Sequence, residues 1–326
     1  MSKLCYVGID TSNYTTSAAV CDENGEIVAN LKRPLPVAEG GCGLRQSDAL
    51  FAHVKNLPSL MRELGEVLDG YRVCAVGVST RPRDAEGSYM PCFLAGEAAA
   101  EALTAGLDAG VPVYHFSHQS GHIMAAAYSS GSMDSLLCAP FCAFHVSGGT
   151  TELVMVKPVV AGFEVTLLGG TRDLNAGQAI DRVGVAMGLK FPCGPALEKL
   201  ALENKEKVPK PKICVDGLEC NLSGLENLAR GLYAKQSDAS LTAAYVLRFI
   251  GETLKTLTRN LRERYPDMPV LFAGGVMSNS IIKDMIRGEG NVYFSQPAFS
   301  ADNAAGVALL CRAAHVAGGE ELGADQ

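Results

Sequence analysis

The chain has 326 residues, 48% of them hydrophobic and 19% charged, with a formal net charge of -7. That length and balance supply a substantial core and room for two domains, and they exclude a disordered or fibrous chain. The acidic total excludes bulk electrostatics as a source of nucleic-acid binding, so any RNA contact has to come from a local patch or a partner protein.

Met1-Ser2-Lys3 runs straight into Cys5-Tyr6-Val7-Gly8-Ile9-Asp10-Thr11-Ser12, which reads as a buried strand ending in a polar turn. Residues 16–21 read as a second strand, Asp22-Glu23-Asn24-Gly25 as a hairpin turn and residues 26–31 as a third strand. Residues 48–68 carry apolar spacing of helical period with Asp48 as N-cap, and the alanine-rich residues 92–107 form a second helix. The opening grammar then recurs. Residues 142–147 are an apolar strand, Gly148-Gly149-Thr150 a polar turn, residues 152–157 a returning strand and residues 163–168 a third. Two halves that open alike predict a duplicated α/β fold with a ligand between the halves. Residues 203–212, rich in lysine and proline, read as an exposed connection, and residues 240–265 as a long amphipathic helix. Val270-Leu271-Phe272-Ala273 is a buried strand that breaks at Gly274-Gly275 before a helix over residues 279–287. An alanine-rich helix follows Ser300-Ala301-Asp302-Asn303, and the polar residues 319–326 read as a frayed tail. The eleven cysteines, odd in number and without a C-x-x-C pair, read as reduced core thiols. No signal peptide and no bilayer-length apolar run is visible, which predicts a cytoplasmic protein with no membrane partner.

Four of the six histidines, His115, His118, His122 and His145, lead into Ser147-Gly148-Gly149-Thr150-Thr151. On a helix, His118 and His122 share one face and suit chelation of a single metal ion; they equally suit two ordinary buried or surface histidines. Gln119 stands where a zinc peptidase needs the glutamate of H-E-x-x-H, and it cannot take up a proton, which argues against peptide hydrolysis. The Ser147 to Thr151 loop offers N–H groups and hydroxyls to phosphate oxygens, or is a plain hairpin turn. The glycine pair before Asn279 suits an adenine or ribose with Asn279 as polar anchor, or tight strand-to-helix packing. Asp302 reads as a helix N-cap or as the carboxylate that completes a metal site.

Taken in order, these motifs resemble the tRNA threonylcarbamoyladenosine synthase family, the bacterial TsaD proteins once labelled O-sialoglycoprotein endopeptidases, within the actin, sugar-kinase and Hsp70 superfamily. The resemblance rests on Gly8-Ile9-Asp10-Thr11-Ser12, His118-x-x-x-His122, Val146-Ser147-Gly148-Gly149-x-Thr151 and Ala176-Gly177-Gln178-Ala179-Ile180-Asp181. It continues through Pro192-Cys193-Gly194-Pro195, Leu222-Ser223-Gly224-Leu225, Gly274-Gly275-Val276-x-x-Asn279 and Asp302-Asn303. It implies a duplicated actin-like fold with an interdomain cleft. The first domain would span residues 1–134, with the helix at about residues 299–318 packing back on it, and the second, nucleotide-binding domain residues 135–298. It implies one divalent metal ion, iron or zinc, held by His118, His122 and Asp302, with His145 as a further candidate ligand where some relatives place a tyrosine. It assigns Ser147, Gly148, Gly149, Thr150, Thr151, Asp181, Gly194, Glu198 and Asn279 to an adenylate substrate, with ATP as an alternative occupant. The implied reaction moves a threonylcarbamoyl group from its adenylate to the exocyclic amine of the adenine beside the tRNA anticodon, with Asp10 orienting that amine or accepting its proton. The implied partners are tRNA, a paralogous dimer partner, an ATPase and an adenylate-forming enzyme.

Three departures stand out. Arg81-Pro82-Arg83-Asp84-Ala85-Glu86-Gly87-Ser88 replaces the family's Gly-Pro-Gly-Leu loop, Glu226 stands where the family has lysine, and Asp10 is shorter than the family's glutamate. They leave open a divergent paralogue with another carbamoyl or phosphoryl acceptor, and a non-catalytic nucleotide-binding partner protein.

Overall fold

The structure, a computed structural model, describes residues 2–36, 44–107, 110–160 and 162–324. The chain begins with β1 (Lys3–Thr11), β2 (Thr15–Asp22), β3 (Ile27–Pro34), α1 (Gln46–Val67), β4 (Tyr71–Arg81), α2 (Phe93–Gly106), β5 (Val113–Ser117), α3 (His118–Ser129) and α4 (Met133–Leu137). It continues with β6 (Phe141–Val146), β7 (Thr151–Val159), β8 (Gly162–Thr171), α5 (Ala176–Ala186), α6 (Gly194–Glu203), β9 (Cys214–Asp216), β10 (Glu219–Asn221), α7 (Ser223–Gln236) and α8 (Ala239–Arg264). It ends with β11 (Val270–Ala273), a 3-10 turn (Gly275–Ser278), α9 (Ser280–Ile286), β12 (Val292–Phe294), α10 (Pro297–Ser300) and α11 (Ala305–Ala324). Two compact units result, one of Met1–Met133, Pro158–Glu164 and Ala301–Gln326, the other of Asp134–Lys157 and Val165–Ser300.

In the first unit the sheet order is β3-β2-β1-β4-β5, with β1 antiparallel to β2 and parallel to β4. A central strand covered on both faces must be apolar on both, and Cys5, Val7 and Ile9 pack with Leu60 and Leu64 of α1 and Ala100 of α2. On the other face lies α11. Glycine permits this approach: a Cβ on Gly8 would collide with the backbone of Ala304 and Ala308, and one on Gly77 would lie 2.8 Å from Cys311 Cβ.

In the second unit the order is β12-β11-β6-β7-β8-β10-β9, with β6 antiparallel to β7 and parallel to β11. The first strand of each unit thus has the same two kinds of neighbour, as the recurring sequence grammar predicts. Phe144 and Phe272 stack at 4.9 Å between ring centroids in a core that α8 closes with Phe249, Ile250 and Leu257.

Asp173 organises the start of α7. Its carboxylate accepts from Leu222 N (2.8 Å), Ser223 Oγ (2.6 Å) and Asn221 Nδ2 (3.1 Å). Desolvation favours its neutral form, but these donors outweigh it and hold the carboxyl well below the usual carboxylate range. Asp173→Ala is expected to cost about 1–2 kcal/mol, read as a lower urea midpoint. A depressed carboxyl contributes stability above its unfolded value of about 3.9 and loses it as pH falls through the folded value, so the gap between wild type and variant should close in strong acid.

Three sequence expectations are corrected. α1 starts at Gln46 with Arg45 as N-cap, and Asp48 sits in the first turn, accepting from Arg45 Nε at 2.9 Å, instead of capping the helix. α11 continues through Ala324, where residues 319–326 read as a tail. The described cysteines are free, and burial pushes the Cys5, Cys21 and Cys142 thiols up to about 12, as inert core thiols require; Cys138 and Cys214 are exposed and Cys74 half-buried, so the core reading fails for these three. Cys42 lies outside the described residues. Among the described residues no helix is long and apolar enough to cross a membrane.

Candidate metal centre and nucleotide-binding loops

Two histidines four apart face one way only on a helix, and α3 starts at His118 because Ser117 caps it, its Oγ accepting from Ser120 N at 3.1 Å. His118 Nε2 and His122 Nε2 stand 2.9 Å apart. Asp302 Oδ1 is 3.2 Å from His122 Nε2 and 3.7 Å from His118 Nε2. The first N–H of α11 is taken by Asn303, whose Oδ1 accepts from Ala305 N at 3.1 Å, while Asp302 is turned to the histidines instead of the helix. Ser12 Oγ donates to its second oxygen at 3.0 Å. Ligands at about 2.0–2.2 Å from one ion, at right or tetrahedral angles, lie about 3–3.5 Å apart. The three donor atoms bracket that spacing, so this residue set fits a divalent ion, and it is the one such group among the described residues.

Asp10 is fully buried, with Oδ1 2.9 Å from His118 Nδ1 and accepting from Ser79 Oγ at 2.5 Å. Burial would raise its pKa, but the charge and hydrogen bond of His118 and the bond from Ser79 hold it below the usual range. Burial would likewise lower His118, yet the charge and bond of Asp10 and the charge of Asp302 carry it up to about 9. For Asp302, the bond from His122 and the charges of both histidines overcome burial and keep it ionised. The sequence reading points Asp10 at the substrate; the structure places it behind His118, on the nitrogen opposite the cluster. A carboxylate there fixes the ring and leaves Nε2 as the donor to a metal.

His115 lies 3.9 Å from Glu97, and His145 sits on β6 of the other unit, in register with Glu152 and Ala273; neither belongs to the three-residue group. Sequence reasoning missed Ser12, Ser79 and Ser117 as partners. For Ser79 a signal exists only once β1 and β4 are paired, since Ile9 opposite Val78 sets Asp10 beside Ser79.

The second unit gathers the adenylate candidates at one end of β6 and β11. Ser147 Oγ accepts from Gly149 N (3.3 Å) and Thr150 N (3.1 Å), so the loop is closed by its own hydroxyl. Gly177 packs on it, where a Cβ would lie 2.7 Å from Gly148 Cα, and Thr151 Oγ1 accepts from Ala176 N at 2.9 Å. From α5, Asp181 accepts from Cys193 N at 2.8 Å, next to Gly194 at the start of α6. Burial raises the Asp181 carboxyl, and the Cys193 bond offsets part of that rise. From α6, Glu198 accepts from Ser280 N (2.7 Å) and Ser280 Oγ (2.6 Å). Asn279 caps α9, its Oδ1 accepting from Ile282 N at 3.0 Å. Gly148, Gly149 and Gly194 have neither a positive φ nor any atom within 4 Å of where a Cβ would stand. Their backbones are open to an approaching ligand, which is what a phosphate or ribose cradle needs.

Glu226 is compensated: Arg230 Nη2 lies at 2.8 Å and Arg182 Nη1 at 3.4 Å, so the acid is ringed by two cations. A cavity of about 610 Å³ over Leu168, Arg172, Glu219 and Arg264 shares no residue with either group, and Arg172 is already engaged by Asp216 and Glu219.

The family model for TsaD, tRNA N6-adenosine threonylcarbamoyltransferase, matches residues 42–309. A tRNA N6-adenosine threonylcarbamoyltransferase of Streptococcus suis (strain 05ZYH33) is 30% identical over 295 residues, covering 87% of this chain and 83% of that protein. The protein of the same name from Thermotoga neapolitana is 28% identical over 318 residues, covering 93% and 91%. Among solved structures, a ROK family glucokinase from Streptomyces griseus in complex with glucose and AMPPNP superposes with a TM-score of 0.52 at 16% identity, over 94% of this chain and 99% of that one. That likeness shows the fold, the duplicated actin-like and sugar-kinase architecture. A match spanning most of the chain, to relatives covered over 83% and 91% of their own length, establishes that this protein belongs to the TsaD family of tRNA N6-adenosine threonylcarbamoyltransferases and is a transferase of the acyl-transfer class.

Proposed function

We propose that the chain transfers a threonylcarbamoyl group from threonylcarbamoyl adenylate to the exocyclic amine of the adenine beside a tRNA anticodon, in the cytoplasm, and releases AMP. The observation that carries this reading is the convergence of His118 Nε2, His122 Nε2 and Asp302 Oδ1, a donor set for one divalent ion, with Gln119 where a zinc peptidase needs its glutamate base. A bound iron or zinc ion would act there as a Lewis acid on the acyl carbonyl. His118 and His122 would present Nε2 to it, with Asp10 keeping the His118 proton on Nδ1 and Ser12 steadying Asp302. In the second unit, the Ser147 to Thr151 loop would face the phosphate, while Asp181, Gly194, Glu198 and Asn279 hold the nucleoside. Attack by the amine on the carbonyl carbon forms the new C–N bond, breaks the bond to the phosphate oxygen and sends one amine proton to solvent. The family's paralogous partner, ATPase and adenylate-forming enzyme would serve the same cycle.

The direct test incubates the protein and those partners with threonylcarbamoyl adenylate and unmodified tRNA, then measures the nucleoside by mass after digestion. Appearance of the threonylcarbamoyl nucleoside supports the reading. Release of AMP with no modified nucleoside points to a different acceptor, and neither product sinks it. Ser147→Ala should raise the KM for the adenylate roughly 5-fold, the equivalent of about 1 kcal/mol, because the amides of Gly149 and Thr150 lose the hydroxyl that orders them.

A further inference from the structure

The charged loop that departs from the family pattern has a specific attachment. Asp84 Oδ1 accepts from Arg81 Nε (2.9 Å) and Nη2 (2.6 Å). Its Oδ2 accepts from Ser117 Oγ (2.5 Å) and Ser120 Oγ (2.9 Å). Pro82 O accepts from Gln119 N at 3.0 Å, and Arg83 N donates to Ser88 Oγ at 3.0 Å, closing the loop on itself. Ser117, Gln119 and Ser120 surround His118 at the first turn of α3.

Proton counting shows what Asp84 adds to an ordinary cap. Ser117 and Ser120 are buried, their hydroxyls 2.9 Å apart, and each has one proton to donate. Ser117 Oγ already accepts from Ser120 N. Both hydroxyls find an acceptor only because a carboxylate, which donates nothing, stands at Asp84. Its other oxygen is held by the two-pronged Arg81 contact, so the carboxylate cannot swing away. The first turn of α3 is therefore tied to the end of β4, independently of the side of the histidines that faces Asp302.

We infer that Asp84 is a positioning residue of the metal centre: it fixes the first turn of α3 and so sets the reach of His118 and His122 towards Asp302. This rests on the proposed metal-binding role of those three residues. It gives the loop over residues 81–88 a task in this chain that the family's glycine-rich loop cannot perform in the same way, since glycine, proline and leucine side chains offer no acceptor to two hydroxyls.

The test uses the full chain and Zn²⁺ titrated against a chromophoric chelator, with Co²⁺ absorption as a second readout. In Asp84→Asn one amide orientation sets an N–H group against Arg81 and the other sets it against the two serine hydroxyls, so one side always fails. Zn²⁺ affinity should fall up to about 10-fold, the low end of the effect of losing a group bonded directly to a ligand, because Asp84 acts through Ser117 and Ser120. The Co²⁺ ligand-field bands should shift, which a merely structural loss would not produce. Adding Arg81→Gln to Asp84→Asn supplies a carbonyl to the new amide and should recover part of the affinity. Ser120→Ala, a milder change that removes one donor, should weaken Zn²⁺ several-fold even where Asp84→Asn folds poorly. Unchanged affinity and spectra in Asp84→Asn and Ser120→Ala, with binding lost in His118→Ala, overturn this inference alone. Wild-type protein that binds no Zn²⁺, or binds it as well after His118→Ala, overturns the metal reading and this inference with it.

Discussion

His118→Ala is expected to lower the rate of threonylcarbamoyl transfer by about 10²–10³-fold, the effect of removing one element of a preorganised electrostatic site. The same change should destabilise the first unit by about 3 kcal/mol, because it takes the cationic partner from the fully buried Asp10 carboxylate and leaves it the neutral donors Ser79 Oγ and Ser12 N. The two effects are separable. Asp10→Asn in the same chain removes the stranded charge, so the double variant should recover most of the unfolding midpoint and none of the activity. Asp10→Asn alone distinguishes the two tasks open to Asp10. As the group that orients His118, its loss weakens metal binding about 10–100-fold. As a proton acceptor for the substrate amine, its loss would leave metal affinity at the wild-type value and lower kcat alone. The fully enclosed Asp10 carboxylate, 2.9 Å from His118 Nδ1, favours the first outcome, and wild-type affinity in Asp10→Asn would refute it.

What could be read from the sequence follows the range of the interactions. The strands at residues 5–12 and 142–147 were legible because apolar runs ending at polar turns are local patterns, and His118 and His122 because a helix brings residues four apart together. Asp302 is 180 residues from His122, and no periodicity links them; only the resemblance to a family did. The places of Asp10 near the end of the first strand and of Asp302 ahead of the last helix were read, but the partners of Asp10 were not, nor was the Ser12 bond to Asp302. Asp10 meets His118 because β4 and α3 pack beside β1, and Asp302 is turned to the histidines while Asn303 takes the first N–H of α11. The same limit hid Asp84, whose serine partners lie 33 and 36 positions along. In sequence its loop was only a departure. The three-residue strands β9, β10 and β12 are too short for a period of two to show.

Gly306→Ala should disable the metal centre without touching a ligand. A Cβ on Gly306 would run into the carbonyl oxygen of Gly121 and lie 2.8 Å from Ala125 N, both backbone atoms of α3. Backbone cannot rotate aside, so α11 has to move off α3, and Asp302 is carried only four positions before Gly306. A Cβ on Gly121 meets the same contact from the other side but finds Val307 Cγ2 at 3.0 Å, a side-chain methyl that has to give by only a few tenths of an ångström. Alanine in a helix gains up to about 1 kcal/mol over glycine at either position. Overpacking against fixed backbone costs about 1–3 kcal/mol or more, which exceeds that gain at Gly306; at Gly121 the strain on one side chain does not. Gly306→Ala is therefore expected to lose metal affinity and unfold earlier, and Gly121→Ala to keep both within about 1 kcal/mol of wild type. Val307→Ala added to Gly306→Ala should bring no recovery, since the obstruction is backbone; recovery there, or equal losses at the two glycines, would show that the helices yield and that their close approach does not set the position of Asp302.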